Sequence, residues 1–505
     1  MLNWNNSSIF ATLVALIIIA PVFAIFYSAF LGDTSLWPHL FSTVLPRYIS
    51  NTIILMVGVG VLSSILGVST AWVVTRYDFF GKNFFEWALL LPAAVPAYII
   101  AYTYTDFLEY AGPVQKIIRE FFNFQNADQY WFPEIRSMEG AIFVMSFVLY
   151  PYIYMTTRAS FLTVPISFFQ TSLIYGRSSF FSVALPLARP GIIAGLALVL
   201  METVSDFGTV EYFALETLTL GVFNVWLGMN SLSGASQISS VLFVFVVVLL
   251  TIEYLARRNQ RFHEKSSGQN MLESKATSNF KKVVCFTVCT IPIVIGFIIP
   301  VSILLNFVFS GFSIIDFTQI FYTSFFSITL ALVGAFFVML ASIFLIIISQ
   351  YKSNNFQKSL IFLASCGYAL PGTILAVGMV IFLGWINKYL HLHLSYVAGG
   401  FIVLIFAYVV RFLAVGNASI RSGILKIHPN AMDASLTMGA GFYRGVKVVI
   451  MPLILSNILI GGILVFVDIL KELPITLLLR PFNFETLATY VYQYASDELL
   501  QESSF

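Results

Sequence analysis

Acidic residues stand at the ends of two apolar runs of this chain. Glu202 and Asp206 follow one run, and Asp468 and Glu472 follow the other. A carboxylate at membrane depth is costly, so such residues are functional candidates by default. The four-residue spacing places both members of a pair on one helix face, and hard cations prefer carboxylate oxygens. The four residues form a candidate cation path. Solvation at the helix ends or contact with a partner protein fits the same positions, and no metal site is firmly assigned.

An internal repeat relates the two apolar runs. A constant offset of 266 residues aligns a proline, a glycine and both acidic pairs. The aligned positions are Pro186 with Pro452, Gly195 with Gly461, Glu202 with Asp468, and Asp206 with Glu472. Upstream, Leu91-Pro92 matches Leu370-Pro371 more loosely. Fused repeats of this kind fit a conduit built at a pseudo-symmetric interface.

The repeat divides the chain into two hydrophobic halves. Residues 1–256 form the first half and residues 283–505 the second. The polar stretch 257–282 between them is predicted to be a flexible cytoplasmic linker.

A cytoplasmic loop precedes the aligned proline of the second half, over residues 428–452. It contains Asp433, Ala434 and Ser435, then three residues, then Gly439. A glycine after a short helix permits a sharp turn, so this loop is predicted to be a helix–turn–helix at the membrane surface. Its residues resemble the EAA loop of binding-protein-dependent ABC importer permeases, and the resemblance implies that the loop docks in a groove of a separate ATPase. An ordinary amphipathic connection is the other interpretation.

The corresponding loop of the first half, residues 164–186, departs from that pattern. Residues 170–172 (Gln-Thr-Ser) replace the acidic-small triplet, whereas Gly176 is retained and Arg177 follows it. The stretch from this glycine to the aligned proline is three residues shorter than in the second half. Three residues are nearly one helical turn, so the second helix of this loop is predicted to be shortened or shifted in register.

Composition limits the class of protein. The chain has 505 residues, of which 59% are hydrophobic and 10% are charged, and its net charge is +2. Average soluble proteins are about 25% charged, so a soluble enzyme and a disordered protein are excluded. No basic field is present to hold a nucleic acid. The chain is predicted to be an all-α polytopic membrane protein surrounded by the lipid bilayer.

About eleven segments reach the roughly 20 apolar residues that a helix needs to cross a bilayer. They are residues 9–31, 51–75, 84–108, 139–160, 186–206, 237–256, 283–309, 323–349, 360–386, 396–416 and 453–472. With the N-terminus in the cytoplasm, most of the 26 Lys and Arg residues fall on the cytoplasmic side, Arg411 among them. This distribution follows the positive-inside rule.

Several stretches of the sequence indicate which protein family the chain resembles. The two loops, together with LLLPAAVPAYIIAYTYTDFL (89–108), SDFGTVEYF (205–213) and KELPITLLLRPF (471–482), resemble the permease subunit of bacterial ferric-iron ABC importers. That family is binding-protein-dependent, has the type I importer fold, and fuses two permease halves in one chain. The resemblance implies a multi-pass protein of the bacterial inner membrane built as a tandem repeat.

The resemblance also implies partners. A cytoplasmic ABC ATPase, expected as a dimer, would hydrolyse ATP, and an extracytoplasmic iron-binding protein would deliver the cargo. The residues that would couple the two loops to the ATPase are Gly176, Arg177, Asp433, Ala434, Ser435 and Gly439. No GxxxxGK[ST], HExxH or GxSxG motif occurs in the chain. We therefore expect no catalytic residue and no cofactor here.

One departure from the family concerns the number of helices. The family has twelve, and the repeat predicts that the helix at 237–256 has a counterpart starting near residue 503. The last helix is therefore expected to be missing. Two other interpretations stay open: a permease for another small solute, of the thiamine or phosphonate type, and an ion-coupled secondary transporter.

Overall fold

The fold is all-α, as predicted. A computed structural model of the protein describes residues 6–258, 278–311, 317–390, 396–428 and 430–497, and no strand occurs within those ranges. A helix satisfies its own backbone hydrogen bonds, which a chain in lipid cannot leave open. Most of the predicted linker, residues 259–277, lies outside the described ranges, as do residues 498–505 near the expected start of the missing helix.

The described residues form 24 α-helices. Those of the first half are α1 (Asn6–Leu31), α2 (Trp37–Ser42), α3 (Leu45–Arg76), α4 (Lys82–Ala88), α5 (Ala97–Leu108), α6 (Pro113–Phe122), α7 (Met138–Leu162), α8 (Ile166–Ile174), α9 (Leu185–Ser205), α10 (Gly208–Tyr212), α11 (Leu218–Phe223) and α12 (Leu232–Arg258). Those of the second half are α13 (Asn279–Ile293), α14 (Ile299–Gly311), α15 (Phe317–Tyr351), α16 (Asn355–Ala364), α17 (Gly372–Leu390), α18 (Tyr396–Ile424), α19 (Ala431–Thr437), α20 (Phe442–Gly445), α21 (Met451–Leu453), α22 (Leu455–Lys471), α23 (Pro474–Leu479) and α24 (Leu487–Ser496).

Nine helices of the described chain are long and apolar enough to cross a membrane, and up to eleven segments qualify if two bent pairs each count as one span. One pair, Lys82–Ala94 with Ala97–Phe122, is bent by 86°, and the other, Phe442–Leu453 with Leu455–Lys471, is bent by 71°. The predicted number of about eleven spans is confirmed as this upper figure. The predicted span 84–108 is therefore not one continuous helix but is broken between Ala94 and Ala97.

A break of the same kind occurs in both halves. Helices α4 and α16 each run into a short 3₁₀ segment, after which Pro96 and Pro371 stand immediately before α5 and α17. Their carbonyl groups accept hydrogen bonds from Ile100 and Leu375 at 3.4 and 3.2 Å. The predicted span 360–386 is likewise broken, between α16 and α17. Pro96, rather than Pro92, is the structural equivalent of Pro371, since both stand immediately before a helix. A proline is well tolerated at the start of a helix but disrupts its interior.

The chain divides into two packing units, each built from segments that are separated in the sequence. One unit consists of Leu40–Gly221, Leu242–Ile315 and the C-terminal residues, and in it α3, α7 and α9 pack against one another while α13 packs on α3. The other consists of Met1–His39, Val222–Val241 and Asp316–Gln493, and in it α15, α18 and α22 pack together while α1 packs on α16 and α17. The division of the chain into two repeated halves, residues 1–256 and 283–505, stays a prediction.

The repeat-related glycines Gly195 and Gly461 each allow two helices to approach closely. A Cβ at Gly195 would lie 2.7 Å from Ile153 Cα in α7, and a Cβ at Gly461 would lie 2.7 Å from Ser419 Cβ in α18. Thr156 of α7 also contacts the first position. Thr156 and Ser419 precede the loop glycines Gly176 and Gly439 by the same twenty residues. The same helix contact is therefore built twice.

We predict that Gly195→Ala destabilises the protein by about 1–3 kcal/mol, because the added methyl group overpacks a helix contact. Gly384→Ala, in an exposed position of α17 with nothing within 4 Å of the new Cβ, is the matched control. It should leave stability unchanged or raise it, since alanine favours helices. Thermal unfolding of the purified protein in detergent measures both. An equal loss at the two positions would contradict the close contact.

Candidate functional site

The second-half loop folds as a helix–turn–helix, which we call the second elbow (428–452). Asp433 and Ala434 are exposed on α19, and Ser435 is buried. Gly439 has a φ of +82°, the left-handed conformation with which a glycine commonly ends a helix. The amide of Ala440 donates to the carbonyl of Ser435 at 3.1 Å and closes the turn.

Ser435 lies where the two arms of the second elbow touch. Its hydroxyl donates to the carbonyl of Met432 at 2.8 Å. A Cβ at Gly445, on the other arm, would come within 2.5 Å of that hydroxyl. Small side chains are therefore needed at both positions for the arms to close.

The first-half loop, which we call the first elbow (164–186), contains the same turn. Gly176 has a φ of +63°. The amide of Arg177 donates to the carbonyl of Ser172 at 2.9 Å, and the Ser172 hydroxyl donates to the carbonyl of Phe169 at 2.8 Å. Each of these contacts has its counterpart in the second elbow 263 residues later. The turn is thus retained although the triplet is not.

The three-residue difference between the loops is located in their second arms. A π-helical segment lies at Phe180–Ala184 in the first elbow and at Val446–Ile450 in the second, 266 residues apart. In the second elbow the helical turn Phe442–Gly445 precedes this segment, whereas in the first a single helical residue does. The predicted shortening of the first loop is confirmed.

Each elbow is held by a basic residue at the end of a long helix. The Arg76 guanidinium, at the end of α3, lies 5.5 Å from the centroid of the Phe169 ring. The Lys352 ammonium, directly after α15, lies 4.0 Å from the centroid of the Phe442 ring. Such cation–π contacts fix the arms relative to the membrane helices.

Both elbows expose apolar side chains. Tyr175 of the first elbow is 75% exposed, and Met438 at the equivalent position of the second is 79% exposed. Leu173 and Leu436, another equivalent pair, are exposed as well. Exposed apolar patches commonly mark contact sites for partner proteins or membranes.

Among the candidate carboxylates, Asp206 caps a helix. It follows the end of α9, and its Oδ1 accepts the amide of Thr209 at 2.8 Å while its Oδ2 accepts the Thr209 hydroxyl at 3.1 Å. Burial raises the pKa of Asp206 to about 6, against the opposing effect of these hydrogen bonds. The side chain therefore supports the first turn of α10.

Glu472 has the equivalent role in the second half. Its Oε1 accepts the amide of Ile475, in α23, at 3.2 Å, and Ile475 is the repeat equivalent of Thr209. Its Oε2 lies 3.0 Å from Nε of Arg411, and both side chains are buried. Arg411 also donates from Nη1 to the carbonyl of Leu370 at 2.7 Å.

The predicted position of Arg411 on the cytoplasmic side is wrong. The charge count placed it on the cytoplasmic side, but it lies inside the candidate span Gly400–Ile424. An arginine within an apolar run is itself a signal of a buried partner, but the signal does not identify Glu472 as that partner. The pair joins α18, the start of α17 and the end of α22.

Glu202 and Asp468 lie one turn before the ends of α9 and α22, and both are partly exposed. The two carboxylate pairs belong to different packing units. No group of three or more His, Cys, Asp or Glu side chains that could hold a metal ion occurs among the residues the structure describes. The cation path stays a prediction.

The chain is similar to transport proteins along most of its length. It is 23% identical to the Fe(3+)-transport system permease protein FbpB 2 of Haemophilus influenzae, over 91% of this chain and 86% of the relative. It is 20% identical to the ferric transport system permease protein FbpB of Actinobacillus pleuropneumoniae, over 96% of this chain and 73% of the relative. No family model matches the chain.

The predicted resemblance to ferric-iron importer permeases is confirmed. A shorter relative adds to it: the molybdenum transport system permease protein ModB of Haemophilus influenzae is 26% identical over 39% of this chain and 86% of its own length. Most of that protein therefore corresponds to less than half of this chain.

We predict that Gly439→Val loosens the second elbow of this permease-like chain, because a β-branched residue is strained at positive φ by about 1–2 kcal/mol. Gly439→Asn is the control, since asparagine tolerates this conformation. No neighbour lies within 4 Å of a Cβ at Gly439, so only the backbone effect is tested. Hydrogen exchange of segment 431–445 should rise in the valine variant and stay near the parent in the asparagine variant. Equal exchange in both variants would contradict the assignment.

Glu472→Gln should destabilise the protein by about 3 kcal/mol or more, because it leaves the buried Arg411 charge uncompensated. Asp206→Asn should have a much smaller effect, since asparagine can still accept the Thr209 amide and no basic side chain is left unpaired by the change. Denaturant unfolding in detergent at neutral pH compares the two. Similar losses of stability in the two variants would show that the Arg411–Glu472 ion pair contributes nothing beyond the capping hydrogen bond.

Proposed function

We propose that this chain is the permease subunit of an ABC importer and forms the pathway for ferric iron across the bacterial inner membrane. An extracytoplasmic binding protein would deliver the iron, and a separate cytoplasmic ATPase dimer would hydrolyse ATP. The N-terminus would lie in the cytoplasm, and the chain itself would catalyse no reaction. Relatives that match most of the chain are named for Fe(3+) or ferric transport, which supports iron as the cargo.

The observation that carries this proposal is the pair of elbows with one turn geometry. A transporter without its own nucleotide site needs rigid elements through which another subunit can push on its membrane helices. The elbows are closed by equivalent hydrogen bonds, and each continues into a membrane helix. Their exposed Tyr175 and Met438 side chains suit an apolar groove on the ATPase.

The carboxylates have two roles in this proposal. Asp206 and Glu472 stabilise the helix breaks through their capping hydrogen bonds. Glu202 and Asp468, which stand one helical turn earlier, are then the better candidates for transient contact with the cation. A conducting site needs ligands that bind a cation and release it again.

A second candidate cargo has one specific observation in its favour. ModB, and the sulfate transport system permease protein CysT of Synechococcus elongatus at 28% identity, are named for molybdenum and sulfate. A permease for an oxyanion is therefore the alternative to iron. The thiamine-type and phosphonate-type permeases and the ion-coupled secondary transporter have no such support.

Reconstitution with the ATPase and binding protein encoded beside this chain tests the function. Iron-loaded binding protein should raise the ATPase rate and drive iron uptake into proteoliposomes, and both should fall severalfold with Gly439→Val but not with Gly439→Asn. Molybdate and sulfate, offered with the same components, should not be taken up. Uptake that persists without ATP, or that follows an oxyanion, would overturn the proposal.

The same assay tests the two candidate cation ligands. Glu202→Gln combined with Asp468→Asn should reduce iron uptake at least about tenfold while binding-protein-stimulated ATP hydrolysis continues. Thermal unfolding of the double variant controls for stability. Normal uptake by a stable double variant would remove Glu202 and Asp468 from the path and leave the coupling proposal intact.

A further inference from the structure

A polar cavity of about 340 Å³ lies beside the first elbow. Three basic side chains, Arg76, Arg177 and Lys281, contribute to its lining. Three serines, Ser178, Ser179 and Ser278, and Tyr77 line it as well. The described residues that line the cavity include no carboxylate. The site is therefore rich in hydrogen-bond donors and positive charge, which is the chemistry that binds a phosphate group.

The cavity adjoins the ends of several candidate membrane spans. Three candidate spans begin or end beside it: Leu45–Arg76, Phe180–Ser205 and Asn279–Ser310. Trp72 and Phe180 form an apolar wall, with their ring centroids 5.2 Å apart. Tryptophan is enriched where membrane helices meet the headgroup layer. The polar groups are thus placed at the depth of lipid phosphates.

Two of the basic side chains at this cavity, Arg177 and Lys281, have no described counter-charge. Arg177 and Lys281 are exposed, and neither forms a salt bridge with a residue that the structure describes. Lys281 and Lys282 stand in the first turn of α13, which contains no acidic residue, and Ser278 makes no side-chain cap hydrogen bond. Positive charge at the N-terminal end of a helix is unfavourable. A bound anion would relieve this repulsion.

We propose that this cavity binds the phosphate of an anionic phospholipid headgroup. Arg177 and Lys281 would contact the phosphate oxygens, the Ser178 and Ser278 hydroxyls would donate to them, and the Trp72 wall would border the start of the acyl chains. A lipid is favoured over free phosphate because the cavity combines an apolar wall with the ends of three candidate membrane spans. The lipid would connect the first elbow to the charge of the surrounding leaflet. The proposal does not depend on which solute the chain transports.

Native mass spectrometry of the full chain in a neutral detergent tests the lipid site. Phosphatidylglycerol and phosphatidylcholine are titrated separately into the parent and into Arg177→Gln combined with Lys281→Gln. We expect phosphatidylglycerol to bind the double variant about tenfold or more weakly, since each basic residue near an anionic surface contributes about fivefold. Lys358→Gln combined with Lys426→Gln removes the same charge outside the cavity lining, from two exposed positions, and should change binding by no more than about twofold.

Further arms of the experiment separate the possible sources of phosphate. Equal binding of phosphatidylcholine and phosphatidylglycerol to the parent would overturn the proposal, as would equal weakening in the two double variants. Inorganic phosphate that displaces phosphatidylglycerol at matched concentration would show a free-anion site and overturn the lipid assignment. Thermal unfolding without lipid checks that the variants are folded. If the double variant is unstable, each single variant should lose about fivefold, and no loss in either would overturn the proposal.

Discussion

A helix that stops near membrane depth has to find new partners for the amide groups of the helix that follows it. In this chain, acidic side chains supply those partners at two repeat-related positions. Asp206 accepts the Thr209 amide, and Glu472 accepts the Ile475 amide. Because the acids are needed to cap α10 and α23, their presence in apolar surroundings has a structural cause that is independent of any transported ion. The longer glutamate can also reach Arg411.

The two halves have diverged around this shared requirement. The second elbow has an extra helical turn at Phe442–Gly445. Among the described residues, the capping carboxylate of the second half, Glu472, also forms an ion pair with Arg411. The first elbow lacks the acidic triplet residue and instead borders a basic cavity. The glycine turn and the exposed apolar side chains are common to both. Contact with a partner through the elbows would therefore depend on shape and apolar surface more than on one charge.

Local patterns in the sequence predicted much of this structure. The span number, the helix–turn–helix at Gly439 and the shortened loop after Gly176 all depend on residues close together in the chain. Contacts between distant segments could not be obtained in this way. The pairing of Arg411 with Glu472, and the packing of α1 on α16 and α17, join residues far apart in sequence. Hydrophobicity identifies a helix as membrane-spanning but does not select its neighbours, because most spans are equally apolar.

The most direct test of the account is a cross-link between an elbow and the ATPase. A cysteine would replace the exposed Ala434 in a background without Cys285, Cys289 and Cys366, and Trp131→Cys, which is exposed on the predicted outer side, is the control. With the neighbouring ATPase co-purified, we predict that the cysteine at position 434 cross-links to it and that the yield changes with ATP. An intact complex that cross-links at position 131, or at neither position, would contradict a coupling elbow.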